Sequence, residues 1–163
     1  MVTLALVAGC ATEQEKKDKQ PAGLRVHIEN KALTTGSALP ITLLRSAPVE
    51  LSITPEPILT EAHILSATLM DSPGGFVVHV KFDETGAWTL EQYSASNPGR
   101  HFALFGQWGD KLKETRWLAA PLIDHRIANG VLIFTPDASR EETEQLVKGL
   151  NNSAKKYAKE KMQ

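Results

Sequence analysis

The sequence is poor in cysteine: one residue, Cys10, in a chain of 163. A single thiol excludes a disulfide framework within the chain and any multi-cysteine zinc or iron–sulfur site. Long apolar runs are also missing. None approaches the ~20 residues that a membrane-crossing helix needs. A surplus of either charge is absent too, since 18 Lys and Arg face 19 Asp and Glu for a net charge of -1. A binder of duplex nucleic acid would show a basic excess, so no nucleic-acid partner is expected. What is present suffices for a core. Hydrophobic residues make up 42% of the chain and charged residues 23%, the balance of a folded domain rather than a disordered one. The length suits one domain and is short for two.

The first segment, 1–10, is apolar or small, with Val2, Leu4, Leu6, Val7 and Ala8 ahead of Gly9 and Cys10. An apolar stretch closed by small residues is the late part of a secretory signal. Val7-Ala8-Gly9-Cys10 resembles the lipobox of bacterial lipoproteins. The resemblance implies cleavage before Cys10 and acylation of its thiol and new amino group. A signal carries a positive segment ahead of its apolar stretch, and none stands here. The expectation is a start upstream of Met1 or a trimmed signal. More than one acyl chain is needed for stable anchoring, at about 0.8 kcal/mol per buried methylene, and a triacylated Cys10 would meet that need. Residues 11–23 are mixed in charge and close on Gln20-Pro21-Ala22-Gly23. This composition predicts a flexible tether, with a solvated helical turn as the alternative.

From residue 24 the pattern is strand-like. Val26 and Ile28 alternate with Arg25, His27 and Glu29, and Val49, Leu51 and Ile53 alternate with Glu50 and Ser52. These form N-terminal strands over 24–58. Asp71-Ser72-Pro73-Gly74-Gly75 is a turn signal that joins 64–70 and 76–82 into a hairpin. Asp83 can cap a helix that must stop before Asn97-Pro98-Gly99. His101 to Trp108 reads as a strand, Lys111 to Ala119 as its partner, and Val131 to Phe134 as a short buried strand. Ser139 and Glu142 have capping-box spacing. Thr143, Leu146, Val147 and Leu150 then repeat at helical intervals, and Gly149 with Asn151-Asn152 should weaken that helix. A basic tail over 153–163, with Lys155, Lys156, Lys159 and Lys161, should fray. Strands joined by short turns run antiparallel. The predicted class is α+β: an antiparallel sheet with two helices packed on one face, preceded by N-terminal strands.

Catalytic signatures are scarce. The five histidines form no metal-binding pair at short helical or strand spacing. Asp124-His125 are chain neighbours and lack a nucleophile motif, and Gly74-Gly75 has no Lys-Ser/Thr after it. The expectation is a protein without catalytic residues, metal or cofactor. Trp88, Trp108 and Trp117 are the candidate partner-binding residues, because aromatics are enriched at binding hot spots. Each could equally be a core residue.

Several segments in order carry a second resemblance. They are Leu59-Thr60-Glu61-Ala62, Val80-Lys81-Phe82, Thr85-Gly86-Ala87-Trp88, Asn97-Pro98-Gly99-Arg100, Phe102-Ala103-Leu104 and Ala119-Ala120-Pro121-Leu122-Ile123. Asn129-Gly130, Ile133, Thr135-Pro136, Glu142 and Leu146 to Leu150 follow. Over 59–152 this succession resembles the head subdomain of the first periplasmic domain of SecD, a subunit of the bacterial protein translocase. The resemblance implies non-covalent contact with unfolded preprotein outside the cytoplasm. The expected protein is therefore a periplasm-facing lipoprotein, attached to the membrane through acylated Cys10. Its partner would be a preprotein, a translocase subunit or an envelope protein. Two alternatives stand beside it: a structural lipoprotein with one dedicated envelope partner, and a small-ligand binder or hydrolase whose polar residues converge only in space.

Overall fold

Apolar–polar alternation and helix caps set the elements of this computed structural model, which describes residues 8–31 and 37–163. The signal stretch through Val7 lies outside the described residues, as does the Cys10 side chain. The helices are α1 (Ala8–Asp18), α2 (Glu84–Ser96) and α3 (Arg140–Lys161). The strands are β1 (Gly23–Ile28), β2 (Leu39–Leu43), β3 (Val49–Ile53), β4 (Ile64–Ser72), β5 (Gly75–Phe82), β6 (Phe102–Trp108), β7 (Glu114–Ala119) and β8 (Val131–Phe134). All pairings are antiparallel. The α+β class is as expected, but the sheet is divided. One three-stranded sheet has the order β1-β6-β7, a second has the order β4-β5-β8, and β2-β3 is a separate ribbon.

The two larger sheets share one core. Leu24, Val26, Phe102, Leu104, Trp108 and Leu118 come from the first, and Val78, Val80, Phe82, Leu132 and Phe134 from the second. Leu90 of α2 and Leu146 and Leu150 of α3 complete it, each fully buried. Burying a side chain of this size contributes about 1.5–3 kcal/mol. The ribbon has a smaller cluster of its own, in which Ile41, Leu43 and Ile53 rest on Ala103 and Trp117.

Local signals act where the sequence places them. The β4–β5 hairpin closes at the pair Ser72↔Gly75, and Gly74 takes φ 83, a left-handed conformation that favours glycine. Asp83 accepts from the Gly86 amide at 2.8 Å and starts α2. Ser139 and Glu142 form the capping box of α3. In place of a strand from Lys111, the chain makes a short 3-10 turn at Asp110–Leu112, and β7 begins at Glu114. Lys111 and Leu112 both have positive φ there, which excludes them from a pleated ladder.

The ends of the folded chain differ from expectation. Residues 11–23 were expected to be a flexible tether, but they are helical through Asp18 and then lie against α3. Asn152 Nδ2 donates to Asp18 O at 2.8 Å and Gln20 O at 3.0 Å. Ser153 Oγ donates to Ala22 O at 2.7 Å and accepts from the Ala22 amide. Asp18 forms an ion pair with Lys148. β1 does not merely precede the unit at 59–152; it forms an edge of the sheet centred on β6. At the other end α3 does not weaken at Gly149 or the asparagines. A Cβ on Gly149 would lie 2.6 Å from the Ala22 Cβ, so glycine is what lets the two segments touch. The predicted basic tail is the last part of α3, with Ser153 and Ala154 buried. Lys161 Nζ reaches Asp83 Oδ2 at 2.7 Å and Ala62 O at 3.1 Å. Burial alone would raise the Asp83 carboxyl. The Lys161 ammonium and the Gly86 amide outweigh it and hold the group below the ordinary carboxylate range.

Candidate functional site

An unpaired sheet edge offers backbone donors and acceptors to any extended chain, so proteins cover such edges. Three edges of the two larger sheets are covered here. Along β1, Val26 N donates to Leu59 O at 2.9 Å and Ile58 N to Val26 O at 2.8 Å, while Thr54 N donates to Ile28 O. Along β7, Asp137 N occupies Leu118 O at 2.7 Å, and charged Glu114 and Arg116 stand on the strand itself. Along β4, Asn151 of α3 meets both backbone groups of Ala67. Its Oδ1 accepts from the Ala67 amide and its Nδ2 donates to the Ala67 carbonyl, each at 2.9 Å. The side-chain amide thus imitates a neighbouring strand.

The fourth edge is β8. It pairs with β5 on one side, and among the described residues no strand lies on its other side. Val131-Leu132-Ile133-Phe134 carries no charge, proline or bulge, the usual devices that guard an edge, and only its first amide is taken, by Asn129 Oδ1 at 3.0 Å. The sequence reads this strand as short and buried, and it is buried on one face only. Leu132 and Phe134 enter the core, whereas Ile133 is 48% exposed.

Beside β8 lies an open groove of about 630 Å³. Ala119, Ala120 and Pro121 line one wall, Ile133, Phe134 and Pro136 the other, and Leu44 and Val77 sit at its ends. The lining is mainly apolar. The outward face of the β4-β5-β8 sheet extends it, with Met70 paired to Val77, and Ile133 beside His79.

A clasp of charges closes one end of the groove. Asp137 Oδ2 accepts from the Arg45 amide at 2.8 Å and from Arg45 Nε at 3.3 Å. Burial would raise the Asp137 carboxyl, but the Arg45 amide and guanidinium keep it below the ordinary range. Arg116 donates to Asp137 O at 3.1 Å and to both Glu142 oxygens at 3.0 Å. That fork, with the Ser139 amide, lowers the Glu142 pKa to about 2. Leu44, at the ribbon tip, has φ 66.

The predicted tryptophans do not converge. Trp108 is 1% exposed and fills the core, so it is unable to meet a partner in this fold. The Arg116 guanidinium caps its ring at 5.3 Å. Trp117 is half-buried, in edge contact with His27 at 5.4 Å and tilted against Phe105 at 5.0 Å. Trp88 alone is well exposed, at 60%, on the outer face of α2. The β8 edge went unnoticed in the sequence; the signal available was a strand of four apolar residues with no guarding charge.

The polar candidates lie on separate elements. His101 Nδ1 meets Glu29 Oε2 at 2.8 Å, and the His101 amide donates to the same oxygen. His27 hydrogen-bonds Thr54 O, and burial lowers its pKa. Asp124 and His125 form an exposed pair that holds the Asp124 carboxyl below its ordinary range. Among the described residues no three His, Cys, Asp or Glu side chains are placed to hold a metal ion, and no helix is long and apolar enough to cross a membrane.

No protein-family model and no curated protein matches the chain. Solved structures do match. A structure of SecDF, described as a membrane component that enhances protein export, superposes with TM-score 0.61 at 22% identity, over 93% of this chain and 72% of that one. SecDF in its super-membrane-facing form gives TM-score 0.59 at 22% identity, over 91% of this chain and 21% of that one. The chain therefore spans most of the first structure and about a fifth of the second. In fold, this chain resembles SecDF, in keeping with the SecD head expected from its sequence.

Proposed function

We propose that this chain is an extracytoplasmic protein-binding module, attached to a membrane through acylated Cys10, that assists protein export by non-covalent capture of polypeptide. The observation that carries the reading is the open edge of β8 beside its apolar groove. An extended segment laid along β8 would extend the β4-β5-β8 sheet by one strand. Its backbone supplies affinity, and alternate apolar side chains enter the groove. This mode is tolerant of sequence, as capture of many different unfolded chains requires. No proton transfer or covalent step takes part, so the module is a binder and not an enzyme. The SecDF-like fold supports a place in export.

Photo-crosslinking in living cells tests this. A photoreactive residue at position 133 should trap many different exported proteins or translocase subunits, and one at Thr115 on the guarded β7 edge should not. One dominant envelope protein at position 133 would replace the export reading with that of a dedicated structural partner. Anchoring has its own readout: metabolic labelling with a fatty acid should mark the protein and be lost in Cys10→Ser.

A further inference from the structure

A second groove lies against α2 and shares no lining residue with the groove beside β8. Its floor is Ile28 and Ile58, one wall is Pro57 and Glu56, and the other is Trp88 and Tyr93, around an open volume of about 560 Å³. Gln92 sits on the helix between this groove and a shallower one on the far flank of Trp88. We propose that the Trp88 groove is a binding site for a neutral oligosaccharide.

Three features argue for that ligand class. First, the platform is aromatic and exposed. Trp88 is 60% and Tyr93 37% accessible, and neither ring stacks on another described aromatic. A sugar ring presents a face of C–H groups, positive at its edge, that suits the negative face of an indole. Second, the polar groups around the platform are unspent. Glu56, Gln92 and Tyr93 are exposed, and their side chains make no hydrogen bond among the described residues. A carboxylate, an amide and a phenol together both accept from and donate to ring hydroxyls. Third, the charge is wrong for an anion. Arg126, the cation of the neighbouring flank, is engaged by Glu91, and the groove itself contributes Glu56. Phosphorylated or uronic ligands are thereby disfavoured.

The wall is also preorganised, which lowers the ordering cost of binding. Pro55 and Pro57 fix their φ angles. Backbone bonds from Thr54 N to Ile28 O and from Ile58 N to Val26 O stitch the segment to β1. His27 Nδ1 holds Thr54 O at 3.0 Å. A protein segment would find fewer apolar contacts here than along β8, because Thr54, Thr89, Gln92 and Glu56 take up much of the lining.

The test uses the full chain and NMR, with chitotriose, cellotriose and maltotriose as probes, each taken to about ten millimolar. The expected result is saturable movement of the Trp88 indole N–H and the Gln92 side-chain amide with at least one probe. Trp108 and Trp117 should stay still as internal references. Trp88→Ala should weaken binding by about tenfold or more, and Trp88→Phe should recover part of it. Ile133→Lys, at the β8 edge, should leave it unchanged, so this site stands or falls apart from polypeptide capture. Indole resonances unmoved by all three sugars would overturn the proposal. So would a single protein cross-linked through a photoreactive residue at position 92 and lost when Trp88→Ala is added.

Discussion

The two edges of the β4-β5-β8 sheet receive opposite treatment. At β4 a side-chain amide from α3 takes both backbone groups of Ala67, at 2.9 Å each, so that residue has none left for an incoming strand. At β8 no described strand lies alongside, the Val131 amide alone is capped, by Asn129 Oδ1 at 3.0 Å, and the exposed side chain is Ile133 rather than a charge. Both edges belong to the same sheet and face the same solvent. The contrast teaches that one asparagine closes both groups of a residue in mid-strand at β4, whereas at β8 an asparagine closes only the first amide and leaves the edge beyond it, at Ile133, open to use.

That contrast can be broken from the guarded side. Asn151→Ala removes both clasp bonds and leaves the Ala67 amide and carbonyl short of partners at a half-buried site. The expected loss is about 3 kcal/mol in denaturant unfolding, and a crosslinker at Thr68 should begin to trap protein where the parent chain does not. Gly149→Ala attacks the seat of the clasp. Its new methyl meets Ala22, and although alanine is the better helix former by about 1 kcal/mol, overpacking should leave the protein about 2 kcal/mol less stable. Calorimetry would show the sign, and a more stable variant would refute the close approach.

From the open side, Ile133→Lys adds the missing guard. Stability should change by no more than about 0.5 kcal/mol, because the site is exposed. Crosslinking yield or affinity for an unfolded model chain should drop about tenfold, equivalent to about 1.4 kcal/mol. The smallest effect belongs to the clasp at the end of the groove. Glu142 has its pKa lowered from 4.5 to about 2 by Arg116, so its contribution is complete above pH 4.5 and lost as pH falls towards 2. The pair is partly exposed, so Glu142→Gln should cost about 1 kcal/mol at pH 7 and flatten the acid limb of a stability–pH curve.

Much of this was legible in the sequence where the signal is local. Asp71 to Gly75 marked the hairpin, Asp83 the start of α2, and Ser139 with Glu142 the start of α3, because turns and caps are set by neighbours within four residues. What escaped were residues whose partners are far along the chain. Gly149, Asn151 and Asn152 have poor helix propensity, yet they are the residues through which α3 holds Ala22, Ala67 and Asp18. Tertiary contact overrode propensity there. Trp108 and Trp88 look alike in sequence, and only the register of β6 and the outward face of α2 send one to the core and the other to solvent. The openness of β8 depends on which strand ends up next to it, and the uncharged run from Val131 to Phe134 is a hint of it rather than a code.

The seat of Ala22 on α3 also has a consequence for how the molecule is made. Ser153 bonds to Ala22 across 131 residues, and Asn151 to Ala67 across 84. These two links cannot be completed before the last helix exists, and such non-local wiring slows folding. The β2–β3, β4–β5 and β6–β7 pairs join chain neighbours and can form early, whereas the Ala22 segment stays unseated until the last helix is available.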